Sequence, residues 1–180
     1  MSLANKSAKR TEIVQRLMEQ LKTPEVFKTV PYKTQNEDKI KTSQYPHLLN
    51  EVVKLYTDFK KLVPTSAKQR AKENLLWEGN IHTTVKNILF FGTFHRPDFV
   101  LEYDDNLRIA IEIKRGCDGN SIRSGIGQAI VYTSSGFDFA ICLFIDTSKE
   151  GNILSSVSGE REKEFIDKLW EENNVLFGVI

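Results

Sequence analysis

The chain has 180 residues, 40% hydrophobic and 27% charged, with a net charge of +1; that composition is ordinary for a soluble globular protein, with no internal repeat and no low-complexity tract. No apolar run approaches the roughly 20 residues of a membrane-spanning helix, and the polar start, MSLANKSAKR, has no signal peptide's apolar stretch. Two cysteines, Cys117 and Cys142, match no zinc spacing and are too few for a disulfide framework, so a reducing, cytoplasmic setting is expected.

Residues 8–22 place Ile13, Leu17 and Leu21 at helical spacing, and Thr23-Pro24 ends that helix. The polar run 25–45, with Pro31 in it, reads as a loop. Residues 46–62 repeat apolar positions at Leu49, Val52, Val53, Tyr56, Phe59 and Leu62, a second amphipathic helix. Pro64-Thr65-Ser66 breaks the chain and starts a third helix over about 66–78. Charge is divided unevenly. Residues 1–72 hold 15 Lys or Arg against 7 Asp or Glu, and residues 73–180 hold 10 against 17. A basic segment beside an acidic core suits a polyanionic ligand; a lysine-rich solvated helix surface has the same signature.

Beyond residue 80 the pattern becomes strand-like. Asn87–Phe94 reads as one strand containing a glycine, Asp98–Tyr103 as a short strand and Asp104–Asn106 as a turn. Leu107–Arg115 alternates strictly. Residues 121–134 form a helix with the stripe Ile122, Ile126, Ala129 and Ile130. Phe137–Asp146 is a nearly continuous apolar run, as in a strand buried on both faces. Glu160–Glu171 is helical and Val175–Ile180 is a last strand. This order predicts an α/β chain with a central mixed sheet covered by helices on both faces. Residues 1–64 form a basic helical N-terminal segment and residues 65–180 the core.

The 98–115 hairpin carries the chemistry. In Leu107–Arg115, Ile109, Ile111 and Ile113 point one way, while Ala110, Glu112 and Lys114 point the other. A three-residue loop at 104–106 sets Glu102 opposite Arg108, Leu101 opposite Ile109, Phe99 opposite Ile111 and Asp98 opposite Glu112. Apolar then meets apolar, opposite charges meet, and both carboxylates share one face. A two-residue loop breaks all three matches. Two carboxylates with origins roughly 4.5–5.5 Å apart repel unless a cation lies between them or one stays protonated. Oxygen ligands favour Mg2+ or Mn2+. A lysine one side chain along suits phosphodiester hydrolysis, where it stabilises developing negative charge. A plain salt bridge between Lys114 and either acid is the structural alternative.

Arg96-Pro97-Asp98, thirteen intervening residues, and Glu112-Ile113-Lys114 together resemble the PD-(D/E)xK nuclease superfamily. Gln128-Ala129-Ile130-Val131-Tyr132 continues the match as a QxxxY motif. The stretch R-P-D-F-V-L followed by I-A-I-E-I-K-R is similar to the N-terminal nuclease domain of type I restriction enzyme R subunits. The resemblance covers residues 96–132. It implies a restriction-endonuclease-like α/β/α sandwich and a Mg2+-dependent endodeoxyribonuclease. Asp98, Glu112 and the Ile113 carbonyl would hold the metal, and Lys114 would be the catalytic lysine. Gln128 and Tyr132 would point to the same site from a helix face opposite the isoleucine stripe. A further acid from the preceding helix would be Glu73, in first place, or Glu78. The chain lacks the G-x-x-x-x-G-K-[ST] loop of the restriction subunit's motor.

DNA is the expected partner, with Arg96, Arg115 and Arg123 flanking the site as phosphate contacts. A homodimer or larger restriction-type assembly is compatible with cutting both strands. The alternative reading is an inactive or partner-dependent nucleic-acid-binding subunit of such an assembly. His82 and His95 bracket the first strand and read as surface or capping residues. Cys117 has no metal-binding partner in sequence, and Trp77 and Trp170 read as packing residues.

Overall fold

The computed structural model describes residues 6–23, 27, 31–79 and 85–180; His82 lies outside them. Helix α1 spans Ala8–Lys22, α2 Glu37–Lys60 and α3 Pro64–Asn74. Strands follow as β1 (Leu75–Trp77), β2 (Ile88–Phe90), β3 (Thr93–His95), β4 (Phe99–Asp104) and β5 (Leu107–Gly116). Then come α4 (Gly119–Ser134), β6 (Phe139–Asp146), the short α5 (Asn152–Ser156), α6 (Glu160–Asn173) and β7 (Val175–Val179). A five-stranded mixed sheet has the order β1-β4-β5-β6-β7, and β2 and β3 form a separate hairpin. β4 runs antiparallel to β1 and β5, while β5, β6 and β7 are parallel. Among the described residues no helix is long and apolar enough to cross a membrane.

Alternation along the strands sends side chains into two buried layers. Phe99, Leu101, Ile109, Ile111, Ile113, Ile141 and Leu143 join Ile13, Leu17, Leu48, Val52 and Leu55 of α1 and α2. On the opposite face Val100, Ala110, Ala140 and Cys142 meet Ile126, Ala129 and Tyr132 of α4. Each fully buried Leu, Ile or Val contributes about 1.5–3 kcal/mol of transfer free energy. The segment before residue 65 shares its buried cluster with the sheet, so α1 and α2 form one of the two covering layers. All eight residues of β6 are buried, as the apolar run predicts.

Several boundaries differ from the sequence expectations. The polar stretch 37–45 is helical: α2 starts at Glu37, with the Asn36 side chain accepting from the Lys39 N–H at 3.0 Å and acids in the first turn. Pro46 sits inside this helix; its missing N–H costs about 3 kcal/mol against alanine, and burial of Ile40, Leu48, Val52 and Leu55 offsets it. The third helix ends at Asn74 rather than near 78, and Leu75–Trp77 pairs with β4. Three residues are too few to display strand alternation. The expected single strand at 87–94 is instead the β2–β3 hairpin, turning at Phe91-Gly92.

The β4–β5 register is the expected one, with Phe99↔Ile111, Val100↔Ala110, Leu101↔Ile109 and Glu102↔Arg108. The loop is not. Asp104 pairs with Leu107, leaving the two-residue turn Asp105-Asn106, and a bulge between Glu102 and Asp104 absorbs the extra residue, Tyr103. The Tyr103 hydroxyl donates to the Leu55 carbonyl at 3.1 Å, its own carbonyl accepts from the Tyr56 hydroxyl at 3.0 Å, and the two rings stack at 4.8 Å. Docking on α2 thus fixes the bulge.

Candidate active site at the end of strand β4

β4 begins at Phe99, so Asp98 lies just off its end, next in register opposite Glu112. The next position back is Pro97, which falls opposite Ile113 and has no N–H to extend the ladder. Asp98 fills the gap: its Oδ2 accepts from the Ile113 N–H at 2.7 Å. In a strand the N–H and C=O of one residue leave by the same edge. The Ile113 carbonyl therefore faces the Asp98 side too, where the chain gives it no proline donor. The proline-aspartate pair thereby stops the strand and opens an oxygen-lined end.

Asp98 and Glu112 are 6% and 3% exposed. Burial, and the charge of Asp98 beside it, push the Glu112 carboxyl up to about 8. Burial also raises Asp98, against the pull of Lys41 and the Ile113 N–H. Tyr132, from α4, donates its hydroxyl to Glu112 Oε2 at 2.8 Å, and burial and Glu112 hold its phenol protonated. Lys114 shares Glu112's face, with Nζ 3.8 Å from Oε1.

One cation here was missed in the sequence. Lys41 Nζ lies 2.6 Å from Asp98 Oδ1, reaching from α2 around the end of β4. Burial works against its charge, but Asp98, Glu37 and Glu112 together raise its pKa. Lys41 and Glu37 lay in the stretch read as loop; Asn36-Glu37-Asp38, a capping residue followed by acids, was the available signal.

Gln128 and Tyr132 do not lie opposite the buried stripe, as the sequence suggested. The buried face of α4 is Gly125, Ile126, Ala129 and Tyr132, with Ile122 and Ile130 only half-buried. Gly125, Gln128 and Tyr132 share one helix face. A Cβ at Gly125 would lie 3.3 Å from Lys114 Cβ and 3.2 Å from Cys142 Sγ, so glycine lets the helix approach the sheet closely. Gln128 sits between these contacts and keeps a buried Oε1 with no partner. Gly125→Val is expected to cost about 1–3 kcal/mol by overpacking, read as a lowered urea midpoint; unchanged stability would show that the helix can lift away.

Neither Glu73 nor Glu78 joins the buried pair, and Glu78 stands at the nearer end of its strand. Glu73 is exposed, accepts from Gln69 at 3.0 Å, and lies toward the hairpin-turn end, since Leu75 pairs with Leu101. Glu78 follows Trp77, the partner of Phe99, and lines a cleft of about 250 Å3 with Asp38, Lys41 and Thr42. It is exposed and ion-paired to Arg96. Arg115 points to the face opposite Lys114 by alternation and donates to the Lys33 carbonyl at 2.7 Å. Arg123 is exposed and donates to Asn120 on its own helix. Cys117 is exposed and His95 pairs with Ile88 in the small hairpin. Trp77 stacks with Tyr45 and Phe99, and Trp170 with Phe139. Another cleft, about 560 Å3, surrounds Tyr56, Arg70 and Tyr103 at the far end of the β4–β5 hairpin; of the acids lining it, Asp104 is paired with Lys60 and Glu102 with Arg108, and none of Glu102, Asp104 and Asp105 is buried.

The donor set suits a hard divalent cation. Asp98, Glu112 and the Ile113 carbonyl are oxygens, and Gln128, one turn before Tyr132 on α4, keeps a buried oxygen with no partner. Among the described residues no third Asp, Glu, His or Cys side chain joins them, so water and substrate oxygens would complete the shell, as is usual for magnesium. Comparison with family models gives no match, and comparison with curated proteins gives none either.

Proposed function

We propose that the chain is a Mg2+- or Mn2+-dependent nuclease that hydrolyses DNA phosphodiester bonds, with a restriction-endonuclease-like α/β/α core. The observation that carries this reading is the buried Asp98–Glu112 pair at the open end of β4, faced by Lys114 and Tyr132. A pair of buried carboxylates without a cation is costly. The resemblance of residues 96–132 to PD-(D/E)xK nucleases, and in particular to type I restriction R subunits, supports the same reading.

Asp98, Glu112 and the Ile113 carbonyl would hold the metal. When bound, it polarises the phosphate and lowers the pKa of adjacent water. Tyr132 fixes the Glu112 carboxylate through its hydroxyl. Lys114, a quarter exposed at its side chain, offers its ammonium to the charge that develops on the attacked phosphate. Gln128, with its unpartnered oxygen, would supply a further acceptor from the same face of α4 as Tyr132. Plasmid and single-strand cleavage in Mg2+ or Mn2+, with wild type beside Lys114→Ala and Asp98→Ala, is the direct test. Equal cleavage by all three removes the mechanism.

The Lys41–Asp98 ion pair favours a second reading, a resting or partner-dependent subunit of a restriction-type assembly. Its ammonium holds a carboxylate oxygen that the metal needs. Lys41→Met is expected to tighten Mg2+ binding several-fold, because a competing cation is gone. It should also cost the metal-free fold about 3 kcal/mol, because a buried charge loses its partner. Calorimetric titration checks the first effect and urea unfolding the second. Weaker Mg2+ binding in the variant would show that Lys41 supports the site instead of competing for it.

A further inference from the structure

The β2–β3 hairpin stands apart from the main sheet. Its pairing, Leu89↔Phe94 and Phe90↔Thr93, sets Leu89 and Phe94 side by side on one face. These side chains are 63% and 69% exposed, and Phe91 at the tip is 94% exposed. Ile88, at the foot, packs on the core beneath α4. Large apolar groups so exposed and contiguous mark an interaction surface.

The turn sharpens the point. Phe91 and Gly92 have φ of 48° and 74°, so both central residues are left-handed, as in a type I′ turn. Asparagine, aspartate or glycine suits the first of these positions; phenylalanine is strained there. The ring is held in solvent at the point of greatest reach, with Phe90 edge-on behind it at 4.7 Å. Among the described residues only Phe90 is given as a ring partner of Phe91, and Phe91 stays 94% exposed. Strain of this kind collects where a side chain must be presented to a ligand.

Charge and position indicate the ligand. Lys86 stands exposed at one foot of the hairpin. At the other, Arg96 leads through Pro97 to Asp98, so the tip lies no more than about 25 Å along the chain from the site. Lys114 is on the site itself. Lys86 shares a cleft with Glu102 and Arg108, and Arg96 is paired with Glu78; an apolar wedge with a basic residue at each foot, on the chain path to Lys114, matches a polymer that alternates aromatic faces with anions. In a duplex those faces are stacked away; in a single strand or a splayed end they are free. We propose that Leu89, Phe91 and Phe94 form a base-stacking wedge that takes unpaired bases of the nucleic-acid strand entering the Asp98–Glu112–Lys114 site. This rests on the nuclease reading and specifies its substrate as single-stranded or frayed nucleic acid.

The test compares binding of the full chain to a short labelled single strand and to a fully paired duplex of the same sequence, as DNA and as RNA. Calcium replaces magnesium so that binding is read without cutting. Phe91→Asn removes the ring and leaves Asn-Gly, the favoured type I′ pair, and a thermal midpoint at or above that of wild type verifies the fold. Wild type should prefer the single strand and quench a fluorescent adenine analogue placed in it. Phe91→Asn should weaken single-strand binding on the order of tenfold, abolish the quench and leave duplex binding unchanged. DNA bound more tightly than RNA, or the reverse, identifies the polymer, and either supports the wedge. Wild-type behaviour of Phe91→Asn overturns the wedge alone, provided that Lys114→Ala still impairs cleavage. Failure of wild type to bind any strand overturns both readings. Loss of self-association or of anionic-vesicle binding in Phe91→Asn, with strand binding intact, gives the face to another partner and overturns the proposal.

Discussion

Replacing Lys114 with alanine is expected to slow cleavage by roughly 10²- to 10³-fold, while stability changes by no more than about 0.5 kcal/mol. The asymmetry follows from its surroundings. Its ammonium is 3.8 Å from Glu112, too far for a strong hydrogen bond, and its side chain keeps a quarter of its exposure. Little in the resting fold depends on it, whereas negative charge appearing on a phosphate beside it would. Asp98→Ala should behave differently. It removes the acceptor of the Ile113 N–H and strands the Lys41 charge, so activity and about 3–5 kcal/mol of stability should fall together. Cleavage rates and urea unfolding on both variants separate these outcomes. If Lys114→Ala destabilises as much as Asp98→Ala with no kinetic penalty of its own, the lysine is a structural partner and the proposed chemistry fails.

Glu112 leads to the second large effect. In the fold its carboxyl ionises at about 8, against 4.5 for an unperturbed glutamate, chiefly through burial and then through the charge of Asp98. Below the lower value both folded and unfolded chains hold the proton. Between the two values the folded chain holds it and the unfolded chain does not. Stability therefore falls as pH rises through that window, in total on the order of a few kcal/mol. Glu112→Gln keeps a neutral acceptor for Tyr132 and should flatten this fall. Mg2+ should flatten it in the wild type, because a divalent cation stabilises both ionised carboxylates and binds with release of a proton. Urea unfolding at several pH values, with and without Mg2+, measures these slopes, and calorimetry in two buffers counts the proton. A pH-independent wild-type stability would show that the two carboxylates are not coupled as the geometry requires.

Much of the core was legible in local pattern. Leu107–Gly116 alternates so regularly that its two faces, and hence the shared face of Glu112 and Lys114, follow from period two alone. The register also followed, because charge and apolar matching constrain it more strongly than loop length does. The loop itself did not: a bulge at Tyr103 restores the register that a two-residue turn would otherwise shift, and its anchors, Leu55 and Tyr56, lie on a helix distant in sequence. The Phe91-Gly92 turn was hidden because phenylalanine is not a turn residue. The start of α2 was hidden because Pro46 and a polar run outweighed the Asn36 cap.

The sequence by itself determined the mixed α/β organisation, the pairing of Asp98 with Glu112, and the placement of Lys114 beside them. These depend on strand periodicity and complementary neighbours, which are local. Only the tertiary structure brought Lys41 onto Asp98, set Tyr132 on Glu112 and Gly125 against Lys114, and separated Glu73 from the site. Those contacts join residues on helices to residues of the sheet. Their distances depend on how closely helix and sheet pack, a property of the assembled core and not of any one segment.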